Sequence, residues 1–131
     1  MNLAQVVPLF LARIEAQPHD TRSVPLADRD ALIVSCVEVD GQWVVLSRYG
    51  EDKWRLTGAT TNAHPSASIL DFAAVPRVYR STLKAVVYRY LRRGRDSGGR
   101  PGVSAARNFL CGLMPFVRHL ARLQIHSLRA V

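Results

Sequence analysis

The chain has 131 residues, 48% of them apolar and 21% charged, with a net charge of +8. This composition supports a packed core and excludes general disorder, and the length admits one ordinary domain or two small modules. Residues 1–76 carry six basic and nine acidic side chains, whereas residues 77–131 carry twelve basic side chains and the single acid Asp96.

In chain order, Leu3, Val6, Val7, Phe10, Leu11 and Ile14 recur at helical spacing and predict an amphipathic helix over residues 3–16, with Pro8 near its first turn. The stretch is too short and too interrupted for a signal peptide or a membrane span. A polar connection over residues 19–30 leads to two β-branched runs, residues 31–39 and 42–49, separated by Asp40-Gly41. Asp-Gly between such runs is a strong hairpin signal, because a type I′ turn needs positive φ at both central residues. Residues 53–57 are expected to add a third antiparallel strand, giving a small meander covered on one face by the first helix, since an isolated hairpin is marginal in water.

Residues 58–76 are rich in Ala, Thr, Ser and Pro and read as a boundary between a module of residues 1–76 and one of residues 77–131. Beyond it, Tyr79, Leu83, Val86, Val87 and Tyr90 define one face of a helix over residues 77–93. Arg77, Arg80, Lys84, Tyr88 and Arg92 define the opposite face, a predicted cationic stripe. Residues 94–102 form a Gly-rich basic loop. A second helix is expected from about Ser104, as N-cap, to about Leu123, with Phe109, Leu110, Leu113, Phe116, Val117 and Leu120 inward and a bend at Pro115. The fold class is therefore α+β: an N-terminal helix with a small antiparallel meander, then two main helices.

A field concentrated on one part of a chain points to an extended polyanion, because each phosphate neutralised releases counterions. Sixteen of the eighteen cations are Arg, whose planar fork suits phosphate oxygens. The competing reading is that Arg-rich codon usage merely solvates the helices. The expected phosphate contacts are Arg77, Arg80, Lys84 and Arg92 on the stripe and Arg93, Arg95, Arg100 and Arg107 around the loop.

Phe109, Leu110, Leu113, Pro115, Phe116, Val117, Arg118, Leu120, Ile125, Ser127 and Leu128 follow the form Phe-Leu-x-x-Leu-x-Pro-Phe-Val-Arg-x-Leu with a Gln-Ile-x-Ser-Leu continuation. With the preceding helix and basic loop, this pattern resembles the opening of the core-binding domain of the tyrosine recombinases, the phage-integrase family, over residues 77–131. The resemblance implies a helical clamp that grips duplex DNA beside a crossover site, in proteins of mobile elements that carry out DNA integration and recombination. Family chemistry also needs a separate domain supplying Arg, Lys, His or Trp and a nucleophilic Tyr. That domain does not follow here, so the expectation is a truncated, non-catalytic integrase-like fragment, cytoplasmic and, in a bacterium, nucleoid-associated.

Three His-x-x-Arg triplets, at His19, His119 and His126, share the spacing of the family's catalytic motif. No Tyr follows Tyr90 to serve the last two, and Tyr49, the Tyr behind the first, ends a predicted strand. His119 and His126 lack ligand partners for a metal. Glu51-Asp52 sits in a predicted turn, where acids are ordinary. The Gly-rich loop lacks the Gly-Lys-Ser/Thr ending of a phosphate cradle. Trp43 and Trp54 are read as core residues. Cys36 and Cys111 belong to no paired motif and read as buried apolar residues in a reducing compartment. No cofactor, catalytic residue, metal, membrane or small-molecule substrate is expected. The expected partner is double-stranded DNA, with self-association or the remainder of a recombinase beside it. A second function class is a protein-interaction or dimerisation module using Phe109, Phe116 and Leu120 of an unfinished bundle.

Overall fold

In the computed structural model, the described residues are 12–56, 69–92 and 103–125. Residues 12–15 are helical (α1), and a 3-10 turn at Thr21–Ser23 and a short helix at Leu26–Arg29 (α2) follow. Strands β1 (Ile33–Val39), β2 (Gln42–Arg48), β3 (Lys53–Arg55) and β4 (Ile69–Asp71) come next, then a 3-10 turn at Phe72–Ala74. The helices α3 (Arg77–Arg92) and α4 (Val103–Arg122) complete the order. The architecture is α+β, as the pattern of residues implied.

The hairpin is the most local part of the fold. β1 and β2 pair antiparallel, with Val39 opposite Gln42, and Asp40 and Gly41 take φ of 51° and 78°. Both lie in the left-handed region that a type I′ turn requires, where the absence of a Cβ makes Gly41 free of strain.

The third strand forms, but the predicted three-stranded meander does not. β3 pairs with β4 in a separate two-stranded ladder, placing Lys53 opposite Asp71 and Arg55 opposite Ile69. Two serine side chains join the two sheets. Ser47 Oγ accepts from the Arg55 backbone N–H at 2.7 Å, and Ser35 Oγ donates to the Arg55 carbonyl. Residue 55 is thus held on the hairpin by hydroxyls where a meander would use ladder bonds.

Packing does not stop at the boundary expected over residues 58–76. Residues 57–68 are outside the described set, but Leu70, Phe72 and Val75 are buried. One continuous apolar cluster joins Val24, Leu32, Tyr49 and Trp54 of the front half to Tyr79, Val87, Leu110 and Val117 of the rear half. Its centre is aromatic. Trp54 packs on Phe72 at 4.5 Å and on Tyr49 at 5.4 Å, and Tyr49 meets Tyr88 edge-on at 5.6 Å. Trp54 is fully buried, as expected, and its Nε1 donates to the Tyr49 carbonyl, whereas Trp43 is half-buried.

α3 is packed on two sides, which overturns the predicted polar stripe. Tyr79, Leu83 and Val87 are buried as expected, but so are Lys84, Tyr88 and Arg92, while Val86 is exposed. Tyr88 and Arg92 face the front half: Gln17 Nε2 donates to Tyr88 Oη, and the Arg92 guanidinium donates to the carbonyls of Ile14, Glu15 and Gln17. These acceptors are backbone carbonyls at and just beyond the end of α1, where a cation is favourable. Gln17 also accepts from the Ile33 N–H at 2.8 Å and donates to the Ile33 carbonyl at 2.9 Å, pinning the start of β1.

In α4, Leu110, Val117 and Leu120 are buried and Phe109 and Leu113 partly so, Phe109 stacking on Tyr90 at 4.3 Å. Phe116, expected inward, is 48% exposed; Ala106 and Met114 fill the inner face instead. The helix contains Pro115 and closes with Gln124 at φ 58°, Gln124 N–H donating to the Ala121 carbonyl and Ile125 N–H to the Leu120 carbonyl. That pair of bonds is a Schellman closure, with Ile125 packed back on the core. Among the described residues no helix is long and apolar enough to cross a membrane.

Candidate nucleic-acid interface

The eight cations expected to contact phosphate fall into three groups. Arg93, Arg95 and Arg100 lie outside the described residues, as do the side chain of Ser104 and the Ser127 and Leu128 positions. Arg77 and Arg107 are exposed. Lys84 and Arg92 are buried against internal partners and Arg80, part-buried, is bonded to carbonyls just before its own helix, so the three do not form one exposed cationic stripe.

The internal partners are specific. Lys84 is 8% exposed, its ammonium 3.2 Å from Asp52 Oδ1, within 3.5 Å of the Gly50 carbonyl and over the Phe72 ring at 5.9 Å. Arg80 donates to the Val75 carbonyl at 3.1 Å and lies 3.7 Å from Asp52 Oδ2. Asp52 thus gathers two of the stripe's cations, giving the turn at Glu51-Asp52 a structural use. Arg92 is 4% exposed.

A different set of cations surrounds a groove between β4 and α4. On α4, Arg107, Leu110, Cys111, Met114 and Arg118 recur at steps of three and four and form one stripe. Opposite them stand Lys53 of β3, Ile69, Leu70 and Asp71 of β4, and Ala74. The cavity measures ≈ 420 Å³. Because strand side chains alternate, Trp54 and Leu70 point into the core while Lys53, Arg55 and Asp71 point out. A second, smaller depression of ≈ 280 Å³ shares Lys53 and Ile69 and adds Arg55 and Glu51.

The groove is net positive. Lys53, Arg107 and Arg118 line it against one carboxylate, Asp71, whose Oδ1 accepts the Ala73 N–H at 2.9 Å as the cap of the 3-10 turn. Arg107 and Arg118 lie eleven residues apart on one helix, roughly 16 Å along its axis. Of these groove cations, only Arg107 was expected. Arg118 belongs to the integrase-like pattern but was not assigned a contact; the 107/111/114/118 spacing was the signal for it. Lys53 had no such signal, since its position depends on the pairing of β3 with β4.

The four tyrosines are used in packing: Tyr49, Tyr79 and Tyr88 are buried, and Tyr90 lies flat on Phe109. In the first His-x-x-Arg triplet, His19 is exposed and Arg22 is bound to Asp20 at 2.8 Å, whose carboxyl is held down to about 2 by the hydrogen bonds from Arg22. His119 and Arg122 are both exposed on the last turn of α4, and His126 is outside the described residues. Cys36 is half-buried, and that burial pushes its thiol up, away from thiolate character. Cys111, expected to be buried, is exposed at the groove. No family model, no curated protein and no solved structure matches the chain.

Proposed function

We propose that the protein is a duplex-DNA-binding module, similar in its rear half to the core-binding region of the integrase-like recombinases, that grips the phosphate backbone without cleaving it. The observation that carries this reading is the set of exposed cations around one groove, Lys53, Arg107 and Arg118, within a chain of net charge +8. Arg55 and Arg77 add exposed positive charge on β3 and at the start of α3. Two guanidiniums roughly 16 Å apart on a rigid helix reach separate phosphates, which fixes orientation without reading bases. The use of all four tyrosines in packing favours holding over cutting.

The test is binding of a labelled duplex as salt is raised. Affinity should fall linearly on log–log axes, and Arg107→Ala with Arg118→Ala should reduce the slope by about one unit for each phosphate no longer neutralised. Binding that ignores salt contradicts the proposal.

A second reading, a protein-interaction module, is supported by Phe116 of α4 at 48% exposure and Leu123 just beyond it at 56%. It is narrower than the sequence suggested, because Leu120 is buried and Phe109 is stacked on Tyr90.

A further inference from the structure

We infer that the groove between β4 and α4 is also a binding site for a small organic anion with an apolar, ring-bearing body. A phosphate backbone needs only the cations at the rim. This groove has more than a rim: beneath Lys53, Arg107 and Arg118 lies an apolar floor made by Leu70, Leu110 and Met114. Its volume of ≈ 420 Å³ falls within the range of small-molecule sites, which combine mainly apolar walls with a few fixed polar groups.

Charge selects the sign of the ligand. Three cations face one carboxylate, and that carboxylate already accepts a backbone N–H, so a carboxylate, sulfonate or phosphate on the ligand meets donors while its ring covers Met114 and Leu110. The walls are fixed: Leu70, Leu110 and Met114 belong to the continuous core and present only their edges, and the more accessible apolar lining comes from Ile69, Ala74 and Cys111. The site rests on this geometry alone. Its link to the DNA proposal is that Arg107 and Arg118 serve both, so an occupied groove competes with the duplex.

The probe is anilinonaphthalene sulfonate, an aromatic sulfonate whose fluorescence rises in an apolar site, titrated into the full folded chain without DNA. The expected result is saturable binding of one dye per chain. Cys111→Trp, at an exposed position lining the groove, fills the space while keeping every cation. It should weaken dye binding about tenfold or more, equivalent to about 1.4 kcal/mol, with unchanged far-ultraviolet circular dichroism and an unchanged unfolding midpoint. Bound dye should also slow alkylation of Cys111 in the wild-type chain. Absence of saturable binding, or dye binding that neither Cys111→Trp nor Cys111 alkylation senses, overturns the inference. A chain that binds duplex but not dye loses this site and keeps the DNA reading; one that binds dye but not duplex loses only the DNA reading.

Discussion

Ser35 and Ser47 stand opposite each other across the β1–β2 hairpin, and their hydroxyls together engage both backbone polar groups of Arg55. Both serines are buried, so these bonds have no water to replace them. They fix β3 against the hairpin, and β3 in turn carries Lys53 to one wall of the groove. The position of a candidate phosphate ligand therefore depends on two hydroxyls in the core.

Replacing Ser47 by Ala leaves the Arg55 N–H without its acceptor. The cost expected for one stranded buried donor is about 1–3 kcal/mol, read as a lower urea midpoint at unchanged m-value. Ser35→Ala should act in the same direction, and because both serines hold one residue, the double variant should depart from additivity.

Arg92 and Arg107 separate stability from binding. Arg92→Ala removes a buried guanidinium from three carbonyls at the end of α1 and should cost about 1.5–3 kcal/mol, the range for hydrogen bonds to charged groups. Arg107→Ala changes an exposed side chain and should stay within about 0.5 kcal/mol of wild type. Duplex affinity at low salt should show the reverse order among folded molecules. Thermal melts and anisotropy titrations on the same preparations check both halves.

On α4, Leu120 and Phe116 are expected to diverge although both share its hydrophobic pattern. Leu120 is 3% exposed and Phe116 48%. Leu120→Ala should cost about 2–5 kcal/mol, the range for emptying a core site. Phe116→Ser should leave the unfolding midpoint nearly unchanged, and light scattering on that variant reads any loss of self-association.

Acid should loosen the start of the first 3-10 turn. The Asp20 carboxylate is lowered from 3.8 to about 2 by its hydrogen bonds with Arg22 and caps the Thr21–Ser23 turn. A depressed carboxylate contributes stability that is fully present above its unfolded value. That contribution is lost as pH falls from about 3.8 through about 2. The pair is exposed, so the effect is small and salt-sensitive. Asp20→Asn should remove this segment of the pH dependence, and an NMR titration of the wild-type carboxyl should place its midpoint well below that of a free Asp.

Where local chemistry decides, the sequence was readable. Asp40-Gly41 demands positive φ and sets the hairpin, and the recurrence of Leu110, Val117 and Leu120 orients α4. Where a distant partner decides, it was not. Helical spacing placed Arg80, Lys84 and Arg92 on a polar face, but it could not show that Asp52 and the end of α1 would cover that face. Such burial is tolerated only because each cation finds acceptors, which lie far away in sequence. The same holds for β3, whose alternation was visible and whose partner β4 was not. Lys53 reaches the groove through that pairing, whereas Arg118 lies on α4 at a helical spacing from Arg107 that the sequence already carried.

Seating of a phosphate backbone on Lys53, Arg107 and Arg118 is read from duplex binding across a salt series for wild type and the Lys53→Ala, Arg107→Ala, Arg118→Ala triple variant. Wild type should show a steep linear decline and the variant a slope shallower by about three units, with the fold intact by circular dichroism. An unchanged slope in a folded variant would contradict it.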